Sequence, residues 1–427
     1  MVAILSLILL FSLPFQFAIP IGAEWDIPLA RGIAVATEII FLAAAFIRRA
    51  WQLPAPLMTG MVVSFLGLAL AGCLWATRPE LAIPKIVLFF NLFPLIFIWY
   101  DLFWRKASAR IQLIRALLYG AIGSAVIGLI LFIAQFVFGV GETFHFLVDQ
   151  VLPFFLGKEL AALVASYPSL LVNINGETIL RLSTFFPDPH VAAYFYGMCG
   201  FLALGMARLG GDTQYRYIWM AGILFLVDLL TFSRGGYIGL LMGMGVYSFL
   251  IVPKLTSPSR LWVGGLVLLF FLALLMFGQP VLSRLAATFS LADASNLERI
   301  SLWRESFDAV AHRPLLGVGL GNYIATVRPL YAVGTPFYAH NLYLDISLEM
   351  GLLGLIAFLG ICLYALSCVL KLRHGDPLAP ALLGVFALYL THSFFETTLY
   401  SLHITLVFSF VVALALSSKQ SVSRITQ

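Results

Sequence analysis

The chain has 427 residues, of which 61% are hydrophobic and 11% are charged, with a formal net charge of +5. Its mean hydropathy is +0.99. These values lie far outside the usual apolar and charged shares of soluble domains, so a soluble fold is excluded and an all-α membrane protein is indicated. We expect residues 1–427 to form a single polytopic membrane domain, because apolar stretches of spanning length recur along the whole chain.

The apolar stretches are separated by short polar or Pro/Gly-marked segments, and they predict a bundle of about 12 transmembrane helices. The first stretch lacks a basic segment and an A-x-A cleavage site, which favours a membrane helix over a removed signal peptide. The predicted spans are 2–20, 32–47, 57–76, 83–101, 114–138, 189–207, 217–232, 235–252, 261–278, 342–368, 378–391 and 399–417.

The distribution of basic residues orients the bundle. With the N-terminus in the cytoplasm, more than half of the 25 Lys and Arg residues fall in short cytoplasmic segments. This bias predicts that both termini are cytoplasmic. Two segments on the outer side, 139–188 and 279–341, are too long to be simple turns.

The second outer segment contains a predicted amphipathic helix. A capping-box pattern at Ser295–Glu298 precedes apolar residues at steps of three and four. Such a helix is expected to lie along the membrane surface. Its apolar positions are Leu297, Ile300, Trp303, Phe307 and Val310.

Arg234 lies in Thr231-Phe-Ser-Arg-Gly-Gly-Tyr237, between two apolar stretches that together are too long for one span. We therefore expect a tight Ser-Arg-Gly-Gly turn at the outer face. A guanidinium there suits bidentate binding of a phosphate or diphosphate, and Gly235 and Gly236 would let backbone approach the ligand. An arginine that snorkels from a helix end fits the same pattern.

Arg181 and His340 are further candidates on the outer side. Arg181 precedes the span at 189–207, where Asp188 and His190 suggest a helix cap. His340 ends the segment 279–341, and histidine can accept a proton near neutral pH. A solvated arginine and a structural histidine are the alternatives from the residues alone.

Other polar residues raise different functions. His392 and Glu396 are four residues apart and could bind a metal on one helical turn, but no convincing third ligand accompanies them, so no metal site is predicted. Glu38 and Asp228 are intramembrane acids, which raise the possibility of ion or proton transport. Asp228 could also pair with Arg234.

From Arg181 to the C-terminus, a series of short motifs resembles the O-antigen ligase/polymerase family. Each motif is short, but their order and the outer loop before the histidine agree with that family. One departure is His190, where relatives often carry asparagine. The motifs are Arg181 with Phe186-Pro-Asp-Pro189, Ser233-Arg234-Gly235, Arg313 to Tyr323, His340-Asn341, and Gly351 to Gly354.

The resemblance implies a metal-independent inverting glycosyltransferase without a cofactor. Arg181 and Arg234 would bind the diphosphate of an undecaprenyl-diphosphate-linked glycan, and Arg234 would stabilise the leaving charge. His340 would be the catalytic base, and we expect the two arginines to keep it neutral by disfavouring a third positive charge. The site would be periplasmic, in the inner membrane of a bacterium, with membrane lipid around it.

The acceptor stays open between two members of this class. A ligase would transfer a finished glycan to lipid A-core, and a polymerase would extend a growing glycan on its carrier. Compact loops favour the ligase. A lipid-linked-sugar transporter or flippase is the alternative from another class, but its polar residues should cluster midway through the spans. No nucleic-acid partner is expected.

Overall fold

The structure is a computed structural model that describes residues 1–20, 26–166, 168–174, 176–251, 294–329, 338–373 and 375–425. The chain is mostly helical within these ranges. The predicted span 261–278 lies outside the described residues, as does part of the segment 279–341.

The helices of the first half are α1 (Val2–Ser12), α2 (Leu29–Arg48), α3 (Pro56–Ala71), α4 (Ile83–Leu92), α5 (Leu95–Arg105), α6 (Ser108–Phe138), α7 (Val140–His145), α8 (Leu152–Leu156) and α9 (Lys158–Ser166). Those that follow are α10 (Pro189–Ala207), α11 (Gln214–Leu230), α12 (Arg234–Ile251), α13 (Ala294–His312), α14 (Tyr323–Val327), α15 (Leu342–Lys371), α16 (Ala379–His392) and α17 (Leu402–Ile425).

The all-α membrane class is confirmed. Each predicted span other than 261–278 overlaps a described helix, and the predicted span 189–207 coincides with α10. Among the described residues, 6 helical segments are long and apolar enough to cross a membrane by length and composition. The full count of twelve spans and the side on which each loop lies stay predictions. The 6 segments are Leu29–Arg48, Pro56–Leu74, Pro79–Arg105, Ser108–Phe138, Pro189–Ala207 and Leu342–Lys371.

Two local features differ from a purely helical expectation. The predicted span 83–101 is divided into α4 and α5 at Pro94, because proline cannot donate the backbone hydrogen bond of a continuous helix. Short antiparallel hairpins also occur. They pair β1 (Ala18–Pro20) with β2 (Asp26–Pro28), and β3 (Leu171–Ile174) with β4 (Glu177–Leu180).

A closely packed group of α10, α11, α12 and α16 supports the candidate site. Helix α12 packs along α16, and α10 packs against both α11 and α16. Glycines on α12 permit this approach: a Cβ at Gly239 would lie 3.0 Å from the Leu388 carbonyl oxygen, and one at Gly243 would lie 2.8 Å from that of Gly384. Small residues at a helix contact bring the two backbones together.

Two motifs of the sequence form one structural unit. Helix α15 is interrupted at Gly351, whose φ of 70° and ψ of −178° are not helical. The segment after α13 enters this break: the Leu348 and Glu349 carbonyls accept the N–H groups of Val318 and Gly319 at 2.8 and 3.0 Å. A Cβ at Gly351 would lie 2.1 Å from the Leu315 carbonyl oxygen. The glycine is therefore required by this chain crossing.

A helix, α13, is present where the amphipathic helix was predicted, but its most buried residues are not the predicted apolar ones. Leu302 and Ser306 are buried, and the Ser306 hydroxyl lies 2.9 Å from that of Tyr323. Phe307 is 60% exposed and Leu297 is 53% exposed. Trp303 and Val310 of the predicted face are partly buried and pack in the same apolar cluster. The placement of α13 along a membrane surface stays a prediction.

Candidate active site

His340 occupies a turn immediately before α15, and its ring is paired with Glu396. The Nδ1 atom lies 2.7 Å from Glu396 Oε2 and 3.2 Å from Oε1. The histidine side chain is 40% exposed and the carboxylate is 13% exposed. Within the described ranges, Nε2 of His340 has no hydrogen-bond partner. A hydrogen on Nδ1 leaves the Nε2 lone pair available to a ligand.

Asp345 accepts hydrogen bonds from the chain neighbours of both His340 and Glu396. Its carboxylate accepts the Ala339 backbone N–H at 2.9 Å and the hydroxyl of Thr397. Ala339 precedes His340 in the chain, and Thr397 follows Glu396. One buried side chain in the first turn of α15 therefore positions both members of the pair.

Arg234 is the first residue of α12, and the tight turn lies just before it. The turn consists of residues 231–233, with Phe232 at a φ of 51°, so Arg234, Gly235 and Gly236 belong to the first helical turn. The predicted Ser-Arg-Gly-Gly turn is thus displaced towards the N-terminus. Arg234 is only 7% exposed.

The glycines after Arg234 permit close packing of α12. A Cβ at Gly235 would lie 2.6 Å from His392 Cδ2, and one at Gly236 would lie 3.0 Å from the Ala193 Cβ. The expectation that backbone approaches a ligand here stays a prediction. Asp228 does not pair with Arg234: it is fully buried, and its carboxylate oxygens have no hydrogen-bond partner in the described part of the chain.

Arg181 contacts the turn that precedes Arg234. Its Nε donates to the Thr231 carbonyl at 2.7 Å, and its Nη1 donates to the Ser169 carbonyl at 2.9 Å. The side chain is 5% exposed. Arg181 therefore joins the segment before α10 to the turn that carries Arg234.

His190 connects the Arg234 turn with the His340–Glu396 pair. Its Nδ1 lies 2.7 Å from Ser233 Oγ, and its Nε2 lies 3.9 Å from Glu396 Oε1. Ser233 directly precedes Arg234. A continuous set of contacts thus links the three residues that the sequence singled out, Arg181, Arg234 and His340.

The electrostatics of the pair correct one expectation. Glu396 raises the pKa of His340 above its ordinary value, against the lowering effects of burial and of Arg299. Burial opposes the charge of Glu396, but His340 and His190 outweigh it and hold the pKa of that carboxyl well below its usual range. Nearby arginines were expected to lower the pKa of His340, but the net direction is upward because the Glu396 carboxylate, 2.7 Å from Nδ1, is the largest contribution.

Arg299 is a site residue that the sequence analysis did not single out. Trp303 donates its Nε1–H to the Ala339 carbonyl at 2.9 Å, next to His340. Arg299 lies one helical turn earlier on the same face of α13. It acts electrostatically on His340 and Glu396, and it has no hydrogen bond or ion pair to another described residue. The sequence signal for Arg299 was an arginine four residues before a tryptophan, on the helix predicted in the outer segment that His340 ends.

His392 and Glu396 do not lie on one helical turn. Helix α16 ends at His392, so Glu396 leaves the helix and turns towards His340. Among the residues that the structure describes, no group of three His, Cys, Asp or Glu side chains is placed to hold a metal ion.

A helical membrane protein with a histidine–carboxylate pair beside buried arginines has the groups expected of a membrane-embedded transferase. The family model described as O-antigen ligase matches residues 218–359, a segment that contains Arg234, Arg299 and His340. The resemblance to the O-antigen ligase/polymerase family is thus confirmed over that segment. No curated protein gives a significant match. The family supports glycan transfer in general and a bacterial inner-membrane location.

Proposed function

We propose that this protein is a glycosyltransferase that moves a glycan from undecaprenyl diphosphate to an acceptor hydroxyl at the periplasmic face of the inner membrane. The observation that supports this most directly is the contact path from His340 through Glu396 and His190 to the turn before Arg234. The transfer needs a base for the acceptor and positive charge for the diphosphate. Both kinds of group lie on this path.

In the proposed step, His340 Nε2 takes the proton of the acceptor hydroxyl. The acceptor oxygen attacks the anomeric carbon and forms the new glycosidic bond. The bond between that carbon and the phosphate oxygen breaks on the opposite face, so the configuration inverts. Undecaprenyl diphosphate leaves with the electron pair, and the proton stays on His340 until it passes to solvent.

The arginines have different parts in this scheme. Arg234 binds the diphosphate and stabilises its developing charge. Arg181 contributes to the same diphosphate site and also fixes the turn before Arg234, since two of its nitrogens donate to backbone carbonyls. Arg299 brings a further guanidinium from α13. Such groups can balance a diphosphate, already a good leaving group, without a metal or cofactor.

We favour an O-antigen ligase, with lipid A-core as the acceptor, over a polymerase that extends a glycan on its carrier. The compact loops support this choice. A transporter or flippase is less well supported, because polar residues that line a path should lie midway along the spans. Here His190 and Arg234 lie in the first turns of α10 and α12, and His340 and Glu396 lie in segments that connect helices. The groups therefore gather at helix ends.

The direct test is transfer by the purified protein from an undecaprenyl-diphosphate glycan, with and without lipid A-core. Wild type is compared with Arg234→Ala and His340→Ala. A product that needs lipid A-core and that both variants fail to form indicates a ligase, and growth on the donor alone indicates a polymerase. If wild type forms neither product with several donors, the transferase proposal fails and transport is measured instead.

A further inference from the structure

His190 is the departure from the family pattern, and its position in the structure is well defined. It lies in the first turn of α10, where the Asp188 carboxylate accepts the His190 backbone N–H at 2.6 Å. The ring then extends between Ser233 Oγ, at 2.7 Å, and Glu396 Oε1, at 3.9 Å. An asparagine here could contact Ser233 but is too short to reach the carboxylate as well.

The hydrogen atoms around Ser233 are assigned from the distances and from the charge of Glu396. Its Oγ accepts the Gly236 N–H at 3.1 Å. We assign its own hydrogen to the nearer imidazole, His190 Nδ1 at 2.7 Å, rather than to His392 Nε2 at 3.4 Å, since the opposite tautomer would turn a lone pair of His190 towards the Glu396 carboxylate. A neutral imidazole that accepts at Nδ1 carries its hydrogen at Nε2. The Nε2–H of His190 therefore faces Glu396.

Glu396 consequently lies between the N–H groups of two imidazoles. The contact with His340 is a hydrogen bond of 2.7 Å. The contact with His190, at 3.9 Å, is too long for a hydrogen bond but close enough for its N–H dipole to stabilise the carboxylate charge. The carboxylate in turn keeps a hydrogen on Nδ1 of His340. The chain of contacts from Gly236 to His340 thus leaves Nε2 of His340 as the proton acceptor.

We propose that His190 is a positioning residue for glycan transfer, which holds the turn before Arg234 through Ser233 and shares Glu396 with His340. The inference rests on the proposed function, because it requires His340 to accept a proton. It assigns His190 no contact with the substrate. It also explains how the phosphate-binding turn and the base can keep a fixed separation although they come from different helices.

The two contacts of His190 predict two separable effects. Loss of the contact with Ser233 should loosen the turn before Arg234 and raise the KM for the donor. Loss of the N–H towards Glu396 leaves that carboxylate to pair with His340 alone, which favours the protonated form of His340. Arg299 on α13 and Asp345 on α15 also face His340, and they stay in place. The acid limb of the kcat/KM profile should therefore move to higher pH.

The experiment compares wild type with His190→Asn and His190→Ala in the transfer assay over a range of pH. His145→Ala is the matched control, since that histidine is 72% exposed and distant in the chain. We expect His190→Asn to keep the donor KM but to move the acid limb upward and lower kcat by roughly two- to tenfold. We expect His190→Ala to show the same pH change and also a higher donor KM.

Thermal unfolding in detergent separates positioning from folding. If His190→Ala unfolds at a lower temperature than wild type, the inference is tested with His190→Asn, because asparagine keeps a hydrogen-bonding side chain at this position. The inference is overturned if wild type transfers glycan and His340→Ala does not, while both His190 variants keep the acid limb of wild type. It is also overturned if both variants change only the unfolding temperature. Inactive wild type would instead contradict the proposed function.

Discussion

Replacing Glu396 with glutamine tests the pair on which the proposed base depends. Glutamine has nearly the same size and keeps one acceptor oxygen, but it lacks the charge that raises the pKa of His340. The pKa of His340 should therefore fall in Glu396→Gln. Because a base works only when deprotonated, the acid limb of kcat/KM should move to lower pH. The maximal rate should fall as well, since a less basic imidazole accepts a proton less readily.

The size of the effect follows from the geometry of the pair. A hydrogen bond to a charged group contributes about 1.5–3 kcal/mol. The His340 side chain is 40% exposed, so solvent screening places the value at the lower end of that range. A loss of about 1.5 kcal/mol corresponds to roughly a tenfold lower maximal rate.

The assay is glycan transfer with saturating acceptor, measured on both sides of the ordinary histidine pKa of about 6.5. Glu142→Gln is the matched control, because Glu142 is exposed in α7. The combination of a lower rate and an acid limb at lower pH distinguishes loss of the carboxylate from general damage. If the acid limb of Glu396→Gln coincides with that of wild type, Glu396 does not control the base and the proposed pairing is refuted.

Three further substitutions test other parts of the site. Arg299→Ala should raise the donor KM about tenfold through loss of a charge-assisted contact. Arg304 is exposed on the same helix, and Arg304→Ala should leave the donor KM unchanged. Equal KM values for the two variants would exclude Arg299 from donor binding. Gly235→Ala should lower the unfolding free energy by about 1–3 kcal/mol and reduce kcat, because the new Cβ would meet His392. Gly245→Ala is the control, since a Cβ there enters open space. Equal unfolding temperatures of the two variants would contradict this prediction. Asp345→Ala should lower kcat more than Asp345→Asn, because asparagine keeps an acceptor for the Ala339 N–H. Equal kcat values of the two variants would show that the hydrogen bond from Ala339 does not position His340.

Local signals in the sequence were sufficient for most helices. Helix α10 begins where predicted because Asp188 caps it and Pro189 suits a first helical position. Helix α13 begins at Ala294, one residue before the predicted capping box. The buried face of α13 could not be predicted in the same way. The hydroxyl of Ser306 lies next to that of Tyr323, and only the tertiary structure brings the two together.

The candidate site was predictable in its parts but not in its pairing. Arg181, Arg234 and His340 were identified from motif order, whereas Glu396 was considered only as a metal ligand with His392. That spacing has meaning only if a helix continues through both residues, and α16 ends at His392. The true partner of Glu396 is His340, far away in the sequence. A single sequence contains no local signal for such a contact.

The backbone explains why the site depends on tertiary structure. Thr184, Phe232 and His340 have positive φ values of 55°, 51° and 49°, and they lie close in sequence to Arg181, Arg234 and His340 itself. A non-glycine residue in this conformation costs on the order of 1–2 kcal/mol. Each turn is held by another segment: Thr184 accepts the Tyr196 hydroxyl at 3.1 Å, Phe232 packs in an apolar cluster, and His340 binds Glu396. These turns would relax if their partners were removed, so the proposed base and diphosphate site can form only after the helices have packed.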